Sequence, residues 1–370
     1  MSTLEVKKLT DRVGTGKPNF SLGLNVSGSD SGISPPTRTE GNTEPSSPSN
    51  GDTWYDTDND TYDVYMNDEW QRFIGSGSAN PSVWYGDRGI FIGGIESGNR
   101  TDTIDYVTIS TPSNATDFGN LTVGRERPMA CSDGIKIVIG GGYYTSTLNS
   151  IDYITTATTG NASDFGDLTV SRFGGVGVAN GTIGVFAGGF QSNVIDYITI
   201  ETLGNATDFG DLSVSKYAIA GTSDATKALI AGGYGTAFYN TIETITFDTP
   251  SNATDFGDLS STRADLAGCS DDTRSVFGGG SLNSSKYNTI EYVTTSTASN
   301  VTDFGDLTNS RTELASCSDG TYGIWAGGST NSTNGINTID YVTIQTTGNA
   351  TDFGDLSGRY RLAGSSGSAA

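Results

Sequence analysis

The chain has 370 residues, 51 of them glycine, with a formal net charge of −22 and no histidine. Such acidity opposes nucleic-acid binding, which needs a basic surface, and the missing imidazole removes the commonest general base and metal ligand. Plentiful Gly, Thr, Ser and Asn with few helix formers predict an all-β protein; no apolar run predicts membrane insertion, and MSTLEVKKLTDRVGTGKPNF lacks the apolar core of a secretory signal.

Residues 1–28 are too short to build a core of their own. Residues 29–50, rich in Pro, Ser and Gly, read as a linker. Residues 51–75 read as a small three-stranded β-meander with Thr-Asp-Asn-Asp and Met-Asn-Asp-Glu turns and an aromatic core containing Trp54, Tyr55, Tyr62, Tyr65 and Trp70. Asp56, Asp58, Asp60 and Asp63 imitate calcium-loop spacing, but the glycine that the sharp turn of an EF-hand requires is missing, so a polar hairpin is favoured over a metal site. Residues 76–88 form a second linker.

From residue 89 to 370 a unit of about 47 residues repeats. D-F-G-[DN]-L recurs with Phe at 118, 165, 209, 256, 304 and 353. Gly-Gly pairs begin at 93, 141, 188, 232, 279 and 327, and I-[DE]-[YT] recurs with Ile at 104, 151, 195, 242, 290 and 339. Each unit predicts four strands, a to d. In the second repeat these are RPMACSD, GIKIVIGG, SIDYITTAT and DFGDLTV. One such sheet cannot bury both faces, whereas radially packed sheets bury each other. The first repeat lacks a strand a, and the C-terminal GRYRLAGSSGS matches strand a elsewhere, so the tail is expected to complete the first blade. The predicted fold class is a six-bladed β-propeller of four-stranded blades, closed by the C-terminal strand, preceded by the meander and linkers.

Two resemblances follow from these motifs. Gly-Gly at the end of strand b, an aromatic residue some way on (Tyr106, Tyr153, Tyr341) and C-terminal closure resemble the kelch family, although Phe118 and its equivalents occupy strand d where kelch blades usually carry Trp. The opening V-x-x-L-x-x-x-x-G-x-G-x-P-N-F and the N-G-D-x-W-Y-D-T-D meander resemble modules of tail-fibre and related virion proteins of marine and cyanobacterial phages. The second resemblance implies a virion location, attachment to other virion proteins through the N-terminal segment, and, by analogy with fibres, a homotrimer.

In a four-stranded blade the b–c and d–a connections share one face. The b–c loops vary most between repeats and carry Tyr, Asn, Ser and Gly, the vocabulary of adaptable binding loops. Tyr143, Tyr144, Phe190, Tyr234, Phe238, Tyr239 and Tyr287 are therefore candidate ligand platforms, against the alternative of unconstrained drift. A basic residue opens every strand a: Arg125, Arg172, Lys216, Arg263, Arg311 and Arg359. These are candidates to ring a channel mouth and attract an anionic glycan. The competing and favoured reading is a structural ion pair with a carboxylate such as Asp167 or Asp306. The c–d segment, by contrast, barely changes; its Asn114, Asn205, Asn252 and Asn349 fit the glycosylation pattern but read as turn initiators. Cys131, Cys269 and Cys317 share one repeat position and read as small buried hydrophobes, not disulfide partners.

No catalytic residue, resident metal or cofactor is predicted. The D-F-G triplets lack the other kinase elements, and copper-radical chemistry on a kelch-type propeller needs imidazole ligands. The expectation is a phage virion structural protein, of tail- or capsid-fibre type, presenting its propeller to a host-surface glycan. A capsid or tail decoration without a receptor is the alternative, and a glycan-active enzyme working through carboxylates the third.

Overall fold

The computed structural model describes residues 38–41, 45–47, 52–56, 61–66, 69–72, 85–271, 273–330 and 335–369. It is all-β, with no helix among the described residues. The chain divides into two compact units, Met1–Ser78 and Ala79–Ala370.

In the first unit, Thr53–Asp56, Thr61–Met66 and Glu69–Arg72 form the expected antiparallel meander. Trp54 is buried. A fourth strand, Arg38–Gly41, pairs in parallel with Thr53–Asp56, within the span read as linker. Its Arg-Thr-Glu-Gly has too little apolar pattern to announce a strand; pairing with the meander's edge supplies what the sequence lacks. Asp58 and Asp60 fall outside the described residues, as does the side chain of Asp56. The calcium reading of these three lies there too.

The second unit is propeller-like: each repeat folds into a four-stranded antiparallel sheet with strands in the order a-b-c-d. The second repeat supplies Met129–Ser132, Lys136–Gly140, Ser150–Thr155 and Ser163–Asp167. The first sheet draws strand a from the C-terminal segment: Ala363–Gly367 pairs antiparallel with Arg88–Ile92, which pairs with Thr103–Thr108 and that with Thr116–Asn120. Strand b is an unbroken apolar run because both faces are covered. Ile90 and Ile92 pack with Ile137, Ile139 and Ile154 of the second sheet. Phe91, between them, packs with Cys317, Ile324 and Phe353 of the sixth. The hydrophobic core is thus a series of layers between sheets, not one central mass.

The invariant c–d turn has a structural duty that turn initiation alone does not cover. Its Asn side chain accepts a backbone N–H from strand d of the preceding sheet: Asn161 from Asn120, Asn205 from Asp167, Asn252 from Asp211, Asn300 from Asp258, and Asn349 from Asp306, all at 3.0 to 3.1 Å. Asn114 accepts from Asp355, joining first and last repeats at 3.0 Å. The glycine of D-F-G lets the two backbones meet. At Gly119 φ is +149°, and a Cβ would sit 2.3 Å from the Gly160 carbonyl oxygen.

Candidate functional site

The six basic residues that open strand a are fully buried, each 0% exposed. They do not ring an open mouth. Each pairs with the acidic residue of I-[DE]-[YT] in its own sheet: Arg125 with Asp152 (3.0 Å), Arg172 with Asp196 (2.9 Å), Lys216 with Glu243 (2.7 Å), Arg263 with Glu291 (2.5 Å), Arg311 with Asp340 (2.9 Å) and Arg359 with Asp105 (2.5 Å). Asp167 and Asp306 are not the partners. A β-bulge between Ile and the acid turns both of these neighbouring side chains inward, as at Ile151 and Asp152. The preceding repeat completes the site: Thr122 donates to Asp152 from its N–H (3.2 Å) and hydroxyl (2.7 Å). The basic residue's carbonyl in turn accepts the N–H of the second Gly of the previous pair, Gly142 to Arg172 at 2.9 Å for instance. These residues are the framework of the fold and leave the list of candidate ligand contacts.

Two residues on from each buried cation, the backbone adopts positive φ: Arg127 (53°), Gly174 (72°), Ala218 (58°), Asp265 (57°), Glu313 (59°) and Arg361 (59°). Each donates its N–H to the carbonyl of the equivalent residue one repeat earlier. Gly174 bonds to Arg127, Ala218 to Gly174, Asp265 to Ala218, Glu313 to Asp265, Arg361 to Glu313, and Arg127 to Arg361, at 2.6 to 3.0 Å. The series returns to its start. Side chains from this series draw together above it. Arg127 pairs with Asp265 and with Glu313 (2.6 Å), Arg361 with Glu313 (2.6 Å) and Glu126 (2.7 Å), and Arg100 with Glu126 (2.6 Å). Burial would raise the Glu126 carboxyl, but hydrogen bonds and charge from Arg361 and Arg100 outweigh it and hold it below its ordinary value.

The residue after each buried cation lies opposite the residue after the Gly-Gly pair. Glu126 bridges to Tyr143, Tyr217 to Tyr234, Ala264 to Ser281 and Thr312 to Ser329, and Phe190 donates its N–H to the Phe173 carbonyl at 2.8 Å. Tyr143 in the second repeat, both such residues in the third and fourth, and Phe238 of the fourth b–c loop carry rings that form a continuous arc. Centroids run from Tyr143 to Phe173 at 5.5 Å, Phe173 to Phe190 at 5.1 Å, Phe190 to Tyr217 at 5.3 Å, Tyr217 to Tyr234 at 5.9 Å and Tyr234 to Phe238 at 4.8 Å. Phe173 and Phe190 lie nearly parallel, at 15°, and Phe190 is 39% exposed. Arg100 caps the arc over Tyr143 at 4.6 Å.

Of the predicted platforms, Tyr143, Phe190, Tyr234 and Phe238 therefore come together. Tyr144 is exposed, and Tyr239 hydrogen-bonds Thr236 at 3.0 Å. Tyr287 sits apart, near Arg263. Phe173 and Tyr217 were missed. Their signal was legible: the residue after the strand-a cation is aromatic in two consecutive repeats, Phe173 and Tyr217, and again at Tyr360, while Glu126, Ala264 and Thr312 stand at the same position elsewhere.

The first strands of adjacent sheets lie side by side around a narrow space of about 90 Å³ lined by small residues such as Ala130, Gly177, Gly221 and Gly364. At its a–b end Tyr85 reaches in, its hydroxyl 3.3 Å from Ser270 Oγ. The last described residues are at that end too: Ala369 donates its N–H to Asp87 at 3.3 Å. The aromatic arc occupies the opposite, b–c end. The three cysteines are buried and unbridged, as expected, and burial raises each thiol above its ordinary value.

No cluster of three or more His, Cys, Asp or Glu suited to a metal occurs among the described residues. No protein-family model matches the chain, and no curated protein matches it.

Proposed function

We propose that the second unit is a closed, six-bladed, kelch-like β-propeller and that the protein is a phage virion component of fibre type, displaying the b–c face for recognition of a host-surface glycan. Closure is supported by the pairing of Ala363–Gly367 with Arg88–Ile92 and by the returning series of backbone bonds through Arg127 and Arg361. The virion setting, attachment through the N-terminal segment and trimeric assembly rest on the motifs of residues 1–75.

The observation that carries the recognition reading is the position of the aromatic arc. It lies on the face remote from both Tyr85 and Ala369, so the exposed Phe190 and the first described residue of the unit are on opposite faces. Phe190 is exposed there, and Tyr143, Phe173, Tyr217, Tyr234 and Phe238 are half-buried, so the rings stand within reach of a partner. A binding role is favoured over catalysis because each carboxylate of the axial cluster is matched by arginine, and Glu126 is held ionised. A carboxylate held ionised by guanidinium groups, as Glu126 is, is a poor general acid.

Immunogold labelling with antibody against the b–c face is expected to decorate phage particles at fibre tips. Fluorescent full-length protein is expected to bind the envelopes of bacteria on which those particles adsorb. Labelled particles whose protein binds no envelope would instead identify a decoration without a receptor, and release of sugar fragments would identify an enzyme.

A further inference from the structure

We infer that the ligand of this face is an uncharged sugar chain, laid off-axis across the second to fourth sheets along the arc from Tyr143 to Phe238. The inference rests on the recognition reading above and assigns it a ligand class and a place.

The face is chemically lopsided. Paired positions are aromatic in the third and fourth sheets, Phe173 with Phe190 and Tyr217 with Tyr234. In the fifth and sixth they are Ala264 with Ser281 and Thr312 with Ser329. The axial series repeats the asymmetry: beside the arc it carries Gly174 and Ala218, and elsewhere the long charged side chains Arg127, Asp265, Glu313 and Arg361. Gly174 leaves room for the Tyr217 ring, whose Cδ2 lies 3.4 Å from where a Cβ would stand. On the axial side the Arg127 guanidinium lies over the Tyr217 ring, 6.0 Å from its centroid.

The arc offers the exposed ring of Phe190, stacked on Phe173 and continued by Tyr217, set at 78° to Phe190, and by Tyr234 beyond it. The polarised C–H face of a pyranose stacks on such rings, because the ring face carries negative quadrupole charge. Tyrosine hydroxyls and the paired charges at the axis supply both donors and acceptors, which matches sugar hydroxyls.

Charge separates neutral from acidic glycans. Arg100, Arg127 and Arg361 are each engaged by Glu126, Asp265 or Glu313, so the cluster has no surplus cation. The chain as a whole carries −22 and repels polyanions. An acidic polysaccharide would have to break existing ion pairs to find a counter-charge.

The test uses the full chain against immobilised dextran, mannan and galactan (neutral) and alginate, polygalacturonate and heparin (acidic), together with adsorbing bacterial envelopes. Expected is retention by a neutral polysaccharide that persists at about 0.5 M NaCl, where surface charges are screened. Phe190→Ala and Tyr217→Ala are expected to weaken it at least about tenfold, with Tyr287→Ala unchanged and all three variants melting as the parent does. Salt-sensitive binding confined to acidic glycans overturns the inference, as does neutral binding indifferent to Phe190→Ala. Envelope binding abolished by protease but not by periodate overturns it in favour of a protein receptor. The first two leave recognition of a glycan standing, and the third keeps host recognition but replaces the glycan with a protein. Binding to no polysaccharide and no envelope overturns both.

Discussion

The side-chain oxygen of Asn114, in the first repeat, accepts the backbone N–H of Asp355, in the last, at 3.0 Å. The same two repeats meet again where Arg359 reaches Asp105 at 2.5 Å. Removing residues 359–370 takes away a strand of the first sheet and leaves Asp105 buried without its cation. The shortened chain is expected to lose its cooperative thermal transition and to elute as aggregate in size-exclusion chromatography. A truncated chain that melts like the full one would contradict the closure.

Arg263→Met is expected to cost about 3 to 5 kcal/mol, because it strands the buried Glu291 carboxylate. Arg263→Met with Glu291→Met should recover most of that loss, since a pair of apolar residues needs no counter-charge. Urea unfolding of the two variants measures both. Ligand retention by the folded protein is expected to be unchanged in each, because neither side chain reaches the surface.

Gly119→Ala is expected to destabilise by about 1 to 3 kcal/mol, from a positive φ and a Cβ pressed on the Gly160 carbonyl. Gly160→Ala is the matched control. A Cβ there has no atom within 4 Å, so its effect should stay within about 0.5 kcal/mol. Equal effects would show that the close approach between D-F-G and the next c–d turn does not constrain the fold.

Glu126 sets an acid limit. Its folded-state carboxyl lies below the ordinary value of 4.5, held there by Arg361 and Arg100 against the effect of burial. A depressed carboxyl contributes stability above its unfolded value and loses it as pH falls through the folded one. The melting temperature is therefore expected to be level at neutral pH and to drop below about pH 4.5. Glu126→Gln should lower the neutral plateau and make the acid drop shallower. A drop of undiminished steepness in the variant would show that other carboxylates dominate.

Much of this was legible in the sequence. The repeat motifs placed all four strands of each sheet, because Gly-Gly, I-[DE]-[YT] and D-F-G each mark a backbone event that recurs. The resemblance of GRYRLAGSSGS to other first strands located the pairing of Ala363–Gly367. What stayed hidden was partnership across the bulge. Arg125 is far in sequence from Asp152, and only the inward turn at Ile151 and Asp152 brings them together. The strand Arg38–Gly41 was hidden because its pairing comes from a neighbour and not from its own pattern. Phe173 and Tyr217 flank strand a, outside the variable b–c loops, and the pairing of the two positions is a property of the folded backbone.

The way the chain joins the second unit has a mechanical consequence. A pull transmitted through Tyr85 falls on Arg88–Ile92, a strand held on one side by Ala363–Gly367 and on the other by Thr103–Thr108. Its ladder bonds lie across the direction of load, so they must shear together instead of unzipping singly from an edge. Such a pull would load a strand held on both sides, as Thr103–Thr108 also is, and not an edge strand of the first sheet.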